Sequence, residues 1–176
     1  MLDHTAVRPD VRAPDAPADY ISSFRANAAC TRELARLYDE IAASLTAARV
    51  PADAKVDEEP VVRRSPARCL VQLGPVALTV AWLQRAQGTV ADGELLVVVW
   101  RGEVAVRTPQ GFERAHQHSG ASSATALWET VLVASAQSET QWGWAPAAGG
   151  GDAVSSAALA RRCVERLRAA HAECAR

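Results

Sequence analysis

An α+β fold is what this sequence predicts: an antiparallel meander sheet of five to seven strands, flanked by an N-terminal and a C-terminal helix. Three observations carry that expectation. Near each end, a long stretch sets apolar residues three and four apart, the spacing of one buried helical stripe. Between them lies a block of short β-forming segments separated by turn residues, densest at Val76–Arg85 and Gly93–Thr108. Helices confined to the ends and strands in one block point away from alternating parallel units.

The chain has 176 residues, enough for one domain with a sizeable core. The expected division is a flexible tail over residues 1–18, rich in Pro, Asp and Arg without an apolar period, and an α+β domain over 19–176. Residues 51–67 are a polar connector inside that domain. Nineteen basic against twenty acidic residues leave a net charge of −1, which argues against a nucleic-acid partner. No run of about twenty apolar residues appears, so no membrane span is expected. The four cysteines, Cys30, Cys69, Cys163 and Cys174, lack paired spacing, and the N-terminus lacks the apolar core of a secretory signal. A cytoplasmic, reduced chain is the expectation.

Taken in order, Asp19 is the expected N-cap of a helix reaching about Arg49. Its stripe is Ile21, Phe24, Ala28, Thr31, Leu34, Leu37, Tyr38, Ile41, Leu45 and Ala48. Val50-Pro51 ends it, because the residue before proline is pushed out of the helical region. A short edge strand fits Val61–Arg64, and Cys69–Leu73 is the next strand before Gly74-Pro75. From Val76 onward, Val76, Leu78, Val80 and Trp82 face one way, and Ala77, Thr79, Ala81 and Leu83 the other. Asp92-Gly93 closes a loop, and Leu95–Trp100 is apolar on both faces, as a centrally buried strand would be.

Arg101-Gly102 is the expected tight reversal into a strand at Glu103–Arg107. A turn at Thr108–Gly111 and a return strand at Phe112–Ala115 then follow. After the polar loop His116–Ala124, Leu127–Gln137 alternates as a long strand, with a helix as the rival assignment. One face holds Trp128, Thr130, Leu132 and Ala134, and the other Leu127, Glu129, Val131 and Val133. Thr140–Ala145 is the last strand, with Trp142 and Trp144 on one side. Asp152 is the expected cap of a closing helix that reaches about Cys174, its stripe formed by Leu159 or Ala160, Cys163, Val164, Leu167, Ala170 and Cys174, with Arg161 and Glu165 at the supportive four-residue spacing.

The residue types that carry catalysis are thin here. Gly149–Gly151 precedes a helix but has neither the lysine nor the spacing of a phosphate loop. His116 and His118 are the one paired-histidine feature. His171 and Cys174, a helical turn apart, offer two more ligands that nothing in the sequence brings near, so no metal and no cofactor is expected. No GxSxG elbow is present. Glu129 interrupts an apolar strand face, and burial there would raise its pKa and suit it to acid–base work.

The five tryptophans say more. Trp82 and Trp100 sit within core strands. Trp142 and Trp144 stand on one side of a strand near the sheet's edge. They either plug the sheet's own far face, form contact anchors for a partner, or stack on a ligand.

The layout resembles profilin-like and longin-like interaction domains, secretion-chaperone-like folds and helix-grip ligand-binding folds. That resemblance implies an architecture and no activity. Two helices are too few to cover a sheet that is apolar on both faces. The expected function is therefore a non-enzymatic interaction or structural module that self-associates or docks on a partner through a sheet face or edge, with Trp142 and Trp144 as contacts. The alternatives are a small-molecule binder lined by Trp100, Trp128 and Leu167, with Glu129 nearby, and a small enzyme using Glu129 or the His116/His118 loop.

Overall fold

The computed structural model describes residues 20–47, 59–104 and 124–175. The tail 1–18, connector residues 51–58, the strand Phe112–Ala115 and the His116/His118 loop lie outside the described residues. The fold is α+β: two long helices flank a six-stranded antiparallel sheet whose spatial order is its chain order. The elements are α1 (Phe24–Ala47), β1 (Val61–Ser65), β2 (Arg68–Leu73), β3 (Val76–Leu83), β4 (Glu94–Arg101), β5 (Thr125–Ala136), β6 (Trp142–Pro146) and α2 (Ser156–Cys174).

Both helices lie on the same face of the sheet. Helix α1 buries Leu34, Leu37, Tyr38, Ile41 and Leu45 of the predicted stripe, but in its first turns Ala26, Ala29 and Cys30 turn inward while the expected Phe24, Ala28 and Thr31 are exposed. It starts later than the sequence implies: the Ser23 hydroxyl accepts from Ala26 N–H, 3.2 Å away, and sets the first turn. Helix α2 buries Leu159, Ala160, Cys163, Val164, Leu167 and Ala170 against β3, β4 and β6. Its cap is Ser155 and not Asp152, with Ala158 N–H donating to the Ser155 hydroxyl. Residues just past Asp152 are taken by the sheet instead. Val154 exchanges two backbone hydrogen bonds with Trp144, which closes the outer side of β6 at that point.

Register fixes which side chains meet the helices. Cys69, Val80, Val97 and Thr130 stand abreast across β2 to β5, as do Val71, Leu78, Val99 and Trp128. Both rows face α1 and α2, and their apolar members but Trp128 join the core cluster outright, with Trp128 packed at its margin. The rows between them, such as Leu70, Thr79, Val98 and Glu129, face away.

The tight reversal expected at Arg101-Gly102 is not formed. Gly102 does take a positive φ of 104°, but its N–H donates back to the Pro75 carbonyl, and β4 pairs next with β5, beginning at Thr125. The Gln72 amide holds the departing chain. Its Nε2 donates to the carbonyls of Gly74, Val76 and Gly102, and its Oε1 accepts from Val104 N–H. Glu103 and Val104 therefore cross the sheet's end and form no strand.

Candidate functional site

The face turned away from the helices has no described helix or strand above it; its middle, Leu70, Ala77, Thr79 and Val98, is buried, and its apolar margin is not. It carries Leu83 on β3, Leu96, Val98 and Trp100 on β4, and Glu129, Val131 and Val133 on β5. None of these belongs to the core cluster that the helices complete. Leu83 is half exposed at 50%, while Leu96, Trp100, Val131 and Val133 are half-buried. Trp100 does the local covering: facing Ala77 across the strand pair, it donates its indole N–H to the Thr79 hydroxyl at 3.1 Å. Charges of opposite sign flank the patch, Arg63 and Arg68 on the β1–β2 side, Glu94 and Glu129 on the β4–β5 side.

The expectation that Trp142 and Trp144 form contact anchors is corrected for Trp144. Both rings lie on the helix-covered face, opposite Ala136 and Ala134 of β5. Trp144 is fully buried, packed edge-on to Trp82 at 5.9 Å and to Trp142 at 6.3 Å. Its indole N–H donates to the Ser156 hydroxyl, which donates in turn to Glu33 Oε2 on α1. The pair thus plugs the face under the helices and not the far face. Trp142 is half-buried, and its indole nitrogen is buried without a hydrogen-bond partner.

The expected ligand-pocket residues do not converge. Trp100 points away from α2, Trp128 faces the flank of α2, and Leu167 is fully buried in the core. Glu129 is exposed on the helix-free face, where its cross-strand neighbour is Val98, and it makes no hydrogen bond or ion pair with any described residue. A cleft of about 300 Å³ does open between α1 and the end of β3, over Cys30, Leu34 and Trp82. Its polar rim is already paired: Gln84 donates to Asn27 Oδ1 and Gly88 O, and accepts from the Trp82 indole.

The thiols sit in the core. Burial pushes Cys30 and Cys163 up to about 12 and Cys69 to about 11, so none is a ready nucleophile. Among the described residues no group of three His, Cys, Asp or Glu side chains converges to hold a metal ion, and no helix is long and apolar enough to cross a membrane.

Sequence reasoning missed one cluster. On the solvent side of α2, Ala158, Arg161, Arg162, Glu165, Arg166 and Ala169 line an open concavity of about 620 Å³. The Arg166 guanidinium lies 5.7 Å from the centre of the Trp128 ring. The 158–161/162–165/166–169 spacing was visible in the sequence, but its meeting with Trp128 of β5 was not. No family model, curated protein or solved structure matches this chain.

Proposed function

We propose that this chain is a non-enzymatic interaction module that self-associates by stacking its helix-free sheet face on that of a second copy. The observation that carries the reading is the one-sided placement of the helices, which leaves Leu83, Leu96, Val131 and Val133 without a described helix or strand above them. Contiguous apolar surface of this kind marks an interaction site. The charges favour a second copy over an unrelated partner. Rotation by a half-turn about an axis along the strands sets the Arg63/Arg68 side of one face over the Glu94/Glu129 side of the other. An isologous contact between such faces is self-complementary in charge as well as in polarity.

Sedimentation velocity at micromolar concentration tests this reading. The native chain is expected as a dimer, and the double variant Leu83→Asp/Val133→Asp as a folded monomer. A native chain that sediments as a monomer across that range would remove the proposal, and so would a dimer indifferent to the two aspartates.

A further inference from the structure

A second surface, on the opposite side of the molecule, has a different chemistry. Helix α2 turns Arg161, Arg162, Glu165 and Arg166 to solvent along one flank. None of the three arginines, nor Glu165, forms an ion pair or hydrogen bond with a described residue, although Arg161 and Glu165 stand four apart. The flank therefore carries a surplus of two positive charges, from three arginines and one glutamate, on a chain whose net charge is −1. One glutamate, Glu165, stands among the three arginines and leaves most of their charge unbalanced.

The shape of the flank narrows what balances it. Ala158 and Ala169 mark its two ends, eleven residues apart, which on a helix is three turns and roughly 16 Å. Small side chains at both ends let another backbone approach closely, and the three arginines stand between them. Trp128 draws the Arg166 guanidinium over its ring, which favours one placement of that group before anything binds. A track of three turns with a glutamate in its middle is poorly suited to a phosphate backbone, which presents negative charge at every step. It suits a helix that bears acidic residues at three- and four-residue spacing and one basic or neutral residue opposite Glu165.

We infer that this flank of α2 is a docking surface for an acidic helix of another protein. The helix lies along Ala158–Ala169, with its carboxylates on Arg161, Arg162 and Arg166. Planar guanidiniums take carboxylates in a two-pronged geometry that lysine does not offer. The surface is separate from the helix-free sheet face, and the two are tested independently.

The probe is a fluorescently labelled, helix-forming peptide of about 20 residues, long enough to hold a helix, with glutamate on one stripe at i, i+3, i+4 and i+7. Fluorescence anisotropy with the full-length chain at low salt is expected to show saturable binding that weakens as sodium chloride rises. Arg162→Glu is expected to weaken it by about tenfold, since reversal removes one exposed pair and adds one repulsion. Arg162→Glu/Arg166→Glu is expected to abolish it. Glutamate keeps the helix propensity of arginine, so unchanged far-UV circular dichroism confirms folded variants. Leu83→Asp/Val133→Asp, on the other face, is expected to bind the peptide as the native chain does. Three results would overturn the inference: no saturable binding at low salt, binding indifferent to the arginine reversals, or tighter binding of a single-stranded DNA oligonucleotide of equal charge that the same reversals abolish.

Discussion

The two faces of the sheet are made by the same strands, residue by alternate residue, and are finished in different ways. On the covered face three tryptophans gather. Trp82 and Trp144 meet edge-on, Gly93 leaves room for the Trp82 ring, and the chain Trp144–Ser156–Glu33 ties β6 to both helices. On the open face a single tryptophan, Trp100, reaches across to Thr79; Leu70, Ala77 and Val98 in its middle are buried, while Leu96, Val131 and Val133 stop half-buried and Leu83 is exposed. The difference shows that apolar content alone does not make a core. What distinguishes the covered face is the edge-on packing of its rings and the buried Trp144–Ser156–Glu33 chain, in which each N–H or O–H finds an acceptor.

Substitutions that break the covered face should cost most. Trp144→Ala removes a fully buried indole and the donor to the Ser156 hydroxyl, and is expected to destabilise by about 3–5 kcal/mol in urea denaturation. Gly93→Ala should follow. A Cβ built there falls 2.1 Å from the Trp82 ring, so ring or backbone must shift, at a cost of about 1–3 kcal/mol by the same measurement. Ser156→Ala leaves the buried Trp144 N–H without its acceptor and should cost about 1–3 kcal/mol. On the open face, Trp100→Phe gives up only a half-buried hydrogen bond to Thr79, and about 0.5–1.5 kcal/mol is expected. A Trp100→Phe loss equal to that of Trp144→Ala would erase the distinction between the faces.

The thiols sharpen the same contrast without mutation. Burial raises Cys30, Cys69 and Cys163 above the ordinary thiol value of about 9, so their ionisation favours the unfolded chain. Stability from this source is fully present below pH about 9 and is lost as pH climbs toward about 11 and 12. Denaturation curves should therefore move to lower urea between pH 9 and 11. In the folded chain at pH 8, a thiol reagent should count one fast cysteine, the half-buried Cys174, and four after denaturation. Rapid reaction of a second thiol would place a gap in the core beside it.

Much of the architecture was legible because periodicity is a local signal. The alternation of Val76–Trp82 and of Trp128–Ala134 gave the right faces, and the stripe from Cys163 to Ala170 gave the right side of α2. Three-dimensional facts were not legible. Arg101-Gly102 has the composition of a tight turn, but the Gln72 side chain and the Pro75 carbonyl compete for the same stretch and win. Asp152 has the chemistry of a cap, but Val154 is already committed to the edge of β6. Trp142 and Trp144 were correctly placed on one side of a strand, while nothing local said that this side lies under the helices. The arginine flank escaped notice because its aromatic neighbour arrives from a strand some forty residues earlier.

The Ser156–Glu33 hydrogen bond spans 123 residues, and α2 is the last described element to be made. A ribosome making this chain therefore delivers α1 and all six described strands before the second cover of its greasy interior exists. The nascent strands must wait with only α1 over them, at ordinary elongation speed, for about a second or more. Loss of α2, with Leu159, Cys163, Val164 and Leu167, would leave that wait without an end, turning a late-closing molecule into a client for chaperones or proteases.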